Sequence, residues 1–429
     1  MISAATSPLR FDLRCSECGH AAEPAAAACA RCGELLEFRL SPGTRIDVDS
    51  WHALLERRRG STSHLDRSGV WRFRELLPQV DAAHVVTLLE GDVPLYEARG
   101  GAQYTGAKCV RYLHLGMNPT ASFKDAGMTV AISHARSRGA RVAVCASTGN
   151  TSASMAAYAA RAGIIAVVLV PAEGISESKL AQTLDYGARV IAIRGDFDAA
   201  LSVVRSLDSS RFTLVNSINP LRIEGQKTAA LVLLEASHWR VPDWVILPGG
   251  NLGNSSALGK GFREARALGI TTKIPRIAVV QAEGAAPLVR SFRTGEALRP
   301  VVASTTATAI KIGAPASWRK SLREVRESGG TVLAVSDAEI ADARAVIGAE
   351  GIGCEPASAA SLAGLRRLVA EGTVKPDEDV VLVLTGHLLK DTAYAASYHA
   401  SKARFANAVL HAQNADEARA RLQSLESAS

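Results

Sequence analysis

An α/β fold built on parallel β-sheet is what this sequence predicts, and two observations predict it. Short β-branched runs of strand length alternate with Ala-rich stretches of ten or more residues, and several of the runs open directly into polar or Gly-rich loops. The alternation implies βαβ units. The loops then lie beyond the carboxyl ends of strands, where ligands bind in such sheets.

The alternation is clearest between residues 139 and 290. RVAVCA (141–146) reads as a strand and TSASMAAYAARAG (151–163) as a helix. IIAVVLVP (164–171) is a second strand, SKLAQTLDYG (178–187) a helix, RVIAIRG (189–195) a third strand and DFDAALSVVRSL (196–207) a helix. DWVILP (243–248) is followed by the helix SALGKGFREARALG (256–269) and the strand RIAVVQA (276–282); VVLVLTG (380–386) is a late strand. The tail from 396 has helical spacing with charge on one face.

Bulk properties bound the function. At 429 residues two or three structural units are expected. Hydrophobic residues make up 47% and charged residues 21%, with a mean hydropathy of +0.08, the balance of a globular protein with a buried sheet. The net charge of +7 suits an anionic small molecule as well as nucleic acid. Its lysines and arginines are scattered, and with 5% aromatic residues no basic–aromatic cluster forms, so no nucleic-acid partner is expected. The longest apolar runs are too short to cross a bilayer and no secretory leader is visible, so no membrane partner and a cytoplasmic location are expected. Cys109, Cys145 and Cys354 stand alone in apolar settings and read as small core residues. The odd cysteine total fits a reducing compartment.

Three loops carry chemistry. In VILPGGNLGN a strand runs into Gly249, Gly250, Asn251, Leu252, Gly253 and Asn254, ahead of a helix. The glycines bring backbone N–H groups close to a ligand and the helix start adds partial positive charge, a cradle for a phosphate dianion. In ASTGNTSA, Ser147, Thr148, Asn150 and Thr151 crowd donors at another helix start. As structure alone these are ordinary N-caps, but two such anion-suited ends in one chain point to ligands. In NPTASFKDAGM, Lys124 follows Phe123 where a helix begins. Most lysines are solvated; one held in apolar surroundings loses its proton and attacks carbonyl carbon.

SFKD (122–125), ASTGNTSA (146–153), NSINPLRIEGQKTAA (216–230), PGGNLGN (248–254) and CEPASAAS (354–361) together resemble the threonine synthase family, within the fold-type II pyridoxal-phosphate (PLP) enzymes of the tryptophan synthase β-like group. The stretch 216–254 is most similar to the plant-type members. The resemblance runs from about 70 to 391 and implies two α/β domains, with parallel or mixed sheets, holding the cofactor between them. The expected division is a segment 1–45, a large PLP-binding domain from 46–125 and 236–395, a small α/β domain 126–235, and a helical tail 396–429.

For the site, the resemblance implies that Lys124 holds pyridoxal 5'-phosphate as a Schiff base and moves protons when substrate releases it. Residues 249–254 would wrap the cofactor phosphate, Asn150 would bond the pyridine 3'-oxygen, and Thr385 would meet the ring nitrogen. The implied substrate is O-phospho-L-homoserine, with Ser147, Thr148 and Thr151 at its carboxylate end. Asn216, Ser217 and Arg222 would grip its phosphate, with Lys227 as a further candidate. The implied reaction eliminates phosphate from Cγ and adds water at Cβ to give threonine. A homodimer is implied as well. Cysteate synthase-like or threonine/serine dehydratase activity remains open as a rival, and so does a zinc-ribbon regulatory pseudoenzyme. The chain departs from the family at three places: Ala126 stands where Arg is common after SFKD, Leu388 where TGHG has Gly, and Val93 where EGxTPL has Thr.

Cys15-x2-Cys18 and Cys29-x2-Cys32, each followed by Gly, have the spacing of a tetrahedral thiolate zinc ribbon. With no open coordination position, the Zn2+ would be structural.

Overall fold

The structure, a computed structural model, describes residues 9–426 apart from 24–25, 27, 173–176, 195–201, 205–206, 209–210 and 408. The helix expected over 196–207 falls largely outside the described residues.

Two strands form a small antiparallel ribbon at the start, β1 (Phe11–Cys15) and β2 (Leu36–Leu40). The next two, β3 (Leu95–Glu97) and β4 (Cys109–His114), enter a larger sheet. A run of four, β5 (Val142–Ala146), β6 (Ile165–Pro171), β7 (Arg189–Ile193) and β8 (Thr213–Leu214), makes a second sheet in the order β7-β6-β5-β8, all parallel. The remaining strands, β9 (Trp244–Pro248), β10 (Arg276–Ala282), β11 (Thr331–Val335) and β12 (Asp379–Leu384), complete the larger sheet. Its order is β11-β10-β9-β12-β4-β3, parallel except for the edge strand β3.

Six helices matter for the site: α1 (Lys124–Ser137), α2 (Asn150–Ala162), α3 (Pro220–Ala236), α4 (Gly253–Ala267), α5 (Trp318–Glu327) and α6 (Pro356–Ala370). The central strand β9 reads Trp-Val-Ile-Leu-Pro with every residue buried, because two separate apolar clusters cover it. Val245 and Leu247 face one and Trp244 and Ile246 the other, the period-2 alternation of a strand buried on both faces. A third cluster underlies β5 and β6 and takes in α1 and α2.

The smaller sheet draws all four strands from 142–214, whereas α3 packs with α4 on the larger sheet. Helix α3 therefore crosses from one unit to the other. It meets α1 where a Cβ on Gly225 would sit 1.9 Å from Ala126 O and one on Gly127 would sit 2.6 Å from Arg222 O. Only glycine admits that approach, and it brings the start of α1, with Lys124, against the start of α3, with Arg222.

Strands β4 and β11 were not among the sequence-predicted ones; CVRYLH is interrupted by Arg111, and TVLAV was passed over although Gly329-Gly330 and Ser336-Asp337 bound it. Cys145 and Cys354 are buried as expected, but Cys109 is exposed, because it opens β4 at the sheet margin. The expected tail helix appears as two, Thr392–His399 and Ala415–Glu426. Among the described residues no helix is long and apolar enough to cross a membrane.

Candidate active site

Backbone pairing, rather than side chains, fixes where Lys124 sits. The turn ahead of α1 is laced to the end of β12: Phe123 N donates to Thr385 O (2.9 Å) and His387 N to Ala121 O (3.0 Å), with Ser122 bridging Gly386. Asp125 braces the same turn, accepting from Thr120 N (2.7 Å), Thr120 Oγ1 (2.6 Å) and Ser154 Oγ (2.6 Å) on α2. Burial pushes the Asp125 carboxyl up to about 6.

Lys124 is half-buried, its Nζ 3.8 Å from the centre of the Phe123 ring. Burial first, and the Arg222 guanidinium second, lower its amine from 10.5 to about 7, with Glu355 opposing. Arg222 itself is buried, donates Nη1 to Val215 O (3.0 Å), and leaves Nε without a protein partner. Burial lowers it to about 10. Two neighbouring cations are thus sunk in one place, which suits an anionic ligand.

The Gly-rich loop follows β9. Leu252 adopts a left-handed φ of 64° at the head of α4 and is locked by Ser255 and Ser256, which both donate to its carbonyl. A non-glycine there costs about 1–2 kcal/mol. Such strain persists where surroundings enforce it, often at ligand sites. Neither α4 nor α2 has a side-chain cap, so their first-turn N–H groups are free for an anion. A Cβ on Gly250 would press 3.0 Å from Ala309 O, and around Gly149 there is open space. Gly253 is likewise uncrowded.

Other predicted residues are placed as follows. Asn150 donates Nδ2 to Glu355 Oε2 (3.1 Å), and Thr385 Oγ1 lies 3.1 Å from Ser358 Oγ and 3.4 Å from Glu355 Oε1. Ser147, Thr148 and Thr151 are half-buried around the head of α2, with Ser147 Oγ accepting from Gly149 N (3.3 Å). The Asn216 side chain exchanges two bonds with the Ala146 backbone, N–H to Oδ1 (3.2 Å) and Nδ2 to O (3.1 Å), so it anchors the 216 loop beside Ser147. Asn251 joins Ser217 to the Gly-rich loop, donating Nδ2 to Ser217 Oγ (2.5 Å) and accepting from Ala316 N (2.6 Å). Asn254 is buried with both amide atoms unpartnered and faces a cavity of about 10 Å³ shared with Ala126, Phe123 and Gln226. That is room for about one water.

Lys227 is a correction. It lies one turn and more beyond Arg222 on α3, but its Nζ is held by Glu224 (2.5 Å) and Glu264 (2.7 Å) and packs over the Phe11 ring. A cation already saturated by two buried carboxylates does not serve as a phosphate clamp. Sequence reasoning also missed Glu355, whose buried carboxyl meets Asn150 and Thr385 at once. The signal was present in CEPASAAS, but a lone Glu before Pro reads as a helix N-cap. Val93 is buried in the core of the larger sheet, and Leu388 packs against Gly353.

At the N-terminal end the four Sγ atoms of Cys15, Cys18, Cys29 and Cys32 lie within 4.8 Å of one another. Cys15–Cys32, Cys18–Cys32 and Cys18–Cys29 are 3.5, 3.6 and 3.7 Å apart. A tetrahedral zinc with Zn–S of about 2.3 Å spaces its sulfurs by about 3.8 Å. Backbone N–H groups of Glu17, Cys18 and Arg31 point at Cys15 and Cys29 sulfur, and Gly19 and Gly33 take left-handed φ of 69° and 75° in the knuckle turns.

The profile of the pyridoxal-phosphate dependent enzyme family matches residues 86–386. A threonine synthase of Methanosarcina acetivorans is 44% identical over 388 residues, 89% of this chain and 92% of that protein. Those of Methanocaldococcus jannaschii and Synechocystis are 46% and 48% identical over 329 and 324 residues, covering 75% and 74% of this chain and 81% and 82% of theirs. Among solved structures, an L-serine ammonia-lyase from Rhizomucor miehei superposes with a TM-score of 0.63 at 22% identity, covering 72% of this chain and 97% of that one. A threonine deaminase from Solanum lycopersicum gives 0.61 at 18%, covering 84% and 97%. These structures show the shared fold alone. The family match over residues 86–386 and the threonine synthases at 44–48% identity over most of this chain place it in the pyridoxal-phosphate dependent enzymes and, among them, in the threonine synthase family.

Proposed function

We propose that the chain converts O-phospho-L-homoserine to L-threonine, eliminating phosphate and adding water. The single observation that carries this reading beyond the family is Arg222. A buried guanidinium with a free Nε, close enough to lower the Lys124 amine, supplies the cationic clamp that a phosphorylated substrate needs. A dehydratase acting on an uncharged side chain has no use for it.

The residues present fit pyridoxal 5'-phosphate. Lys124 carries the amine that would bind it, residues 249–254 with the head of α4 would hold its phosphate, and Asn150 and Thr385 would address its ring hydroxyl oxygen and its ring nitrogen. When bound, the cofactor supplies an electron sink for carbanion chemistry at the substrate. The chain's own residues do the rest. The Lys124 Nζ, lowered to about 7 and so available in its neutral form near neutrality, accepts and returns the protons of the substrate's Cα and Cβ. Ser147, Thr148, Thr151 and the head of α2 orient the substrate carboxylate. Ser217, fixed by Asn251, and Arg222 take the substrate phosphate, while Asn216 anchors the loop that carries Ser217 through its bonds to Ala146.

The four cysteines are read as ligands of one structural Zn2+, supported by sulfur spacings of 3.5–3.7 Å. The buried free thiols of Cys145 and Cys354 support a reducing, cytoplasmic setting. A homodimer without nucleic-acid or membrane partners completes the reading, and sedimentation of the purified protein checks it. The decisive experiment is incubation of the pyridoxal phosphate-loaded protein with O-phospho-L-homoserine, scoring threonine and free phosphate together. Equal yields are expected; phosphate with 2-oxobutyrate in place of threonine would show a different lyase.

A further inference from the structure

Glu355 sits at the N-cap of α6, yet its side chain makes no cap to that helix. A carboxylate at this position ordinarily accepts from first-turn N–H groups. Here it turns inward. Oε2 accepts from Asn150 Nδ2 (3.1 Å) and Oε1 from Thr385 Oγ1 (3.4 Å). Asn150 heads the helix after β5 in the smaller sheet; Thr385 ends β12 in the larger one. The backbone around Glu355 is pinned as well: its N–H donates to Gly386 O (3.0 Å), and Cys354 bridges His387. A Cβ on Gly386 would lie 2.4 Å from Glu355 Cδ, so glycine at 386 is what admits the carboxyl group.

We propose that Glu355 is a positioning residue of the cofactor site, one buried carboxyl group that sets Asn150 from one domain and Thr385 from the other. This rests on the reading above, in which those two side chains address the ring's hydroxyl oxygen and its nitrogen. Through them a single group fixes the distance between two contacts that no local segment could align. The charged and titratable neighbours that face it are Lys124 on α1, Lys390 after β12, and the Cys354 thiol, with Arg222 behind Lys124. Burial raises the Glu355 carboxyl above its ordinary value, the Asn150 amide and the cations Lys124 and Lys390 oppose that rise, and its charge in turn favours the Lys124 ammonium.

The test uses the full chain loaded with pyridoxal 5'-phosphate, comparing wild type with Glu355→Gln and Glu355→Ala. Glu355→Gln keeps the shape and removes the charge. Its visible cofactor band should titrate with a midpoint lower by about one pH unit, since a protonated lysine adduct loses its counter-charge. kcat should fall about tenfold or more with KM changed less than about threefold. Glu355→Ala should release the cofactor about tenfold more readily on dialysis. Thermal midpoints of the cofactor-free proteins control for folding. A Glu355→Gln protein with the wild-type band midpoint and kcat overturns the proposal, and so does a loss of activity matched by an equal loss of cofactor-free stability. A wild-type protein that shows no band overturns the cofactor reading together with this one; a normal wild-type band that Glu355→Gln leaves unmoved overturns this one alone.

Discussion

A lysine whose amine loses its proton near neutrality should announce itself in the kinetics of cofactor capture. An ordinary lysine at 10.5 is about one part in three thousand neutral at pH 7, whereas Lys124, lowered to about 7, is about half neutral there. We expect the midpoint of cofactor capture at about 7. The sign follows from the causes. Burial and the like charge of Arg222 both disfavour the ammonium, so proton loss comes early as pH rises. Stopped-flow absorbance of pyridoxal 5'-phosphate recombining with the stripped protein should show a rate that climbs from pH 5.5 and levels by about pH 8.5. Replacing Arg222 by Met removes the neighbouring cation and should move the midpoint up by about one pH unit. A rate that rises tenfold per pH unit through pH 10, indifferent to Arg222→Met, would refute the reasoning.

Three further outcomes are expected. Arg222→Gln should raise KM for O-phospho-L-homoserine about 10- to 100-fold, read by steady-state kinetics, with cofactor affinity changed less than about threefold. Lys227→Met should strip Glu224 and Glu264 of a buried partner and cost about 3–5 kcal/mol by urea unfolding, while KM stays close to wild type. A KM effect as large as that of Arg222→Gln would return Lys227 to the substrate site. Cys29→Ser should abolish bound zinc by metal analysis and lower the thermal midpoint by several degrees, leaving the cofactor band intact.

Much of the site was legible because the chemistry lives where elements begin. A strand ending in Gly-Gly-Asn or Ser-Thr-Gly-Asn followed by a helix predicts free backbone donors from local physics alone, and both stretches do follow a strand and open a helix. Lys124 was legible only through its company. What local sequence could not give was pairing across distance. Lys227 and Arg222 are five residues apart on one helix, but the helix turns them to different neighbourhoods, and the carboxylates that capture Lys227 include one from α4. Glu355 was hidden for the same reason, since its partners stand 205 and 30 residues away. Cys109 misled because an apolar neighbourhood in sequence is no guide to which residue opens a strand at the rim of the sheet.

The ribbon's second strand is wired into the catalytic body. Glu37 on β2 takes Arg323 from α5 at 2.8 Å, and Lys260 of α4 joins Phe38 O to Glu224 of α3, which in turn holds Lys227. Glu37 is held down to about 2 by these cations, so the charge is present across the whole working range of pH. Trimming the chain to its cofactor-binding portion would take Glu37 from Arg323 and Lys320 and the Phe38 carbonyl from Lys260, leaving three under-compensated cations on a freshly bared face. Anyone borrowing this scaffold must therefore either carry the first forty-odd residues along or repaint that surface with neutral side chains.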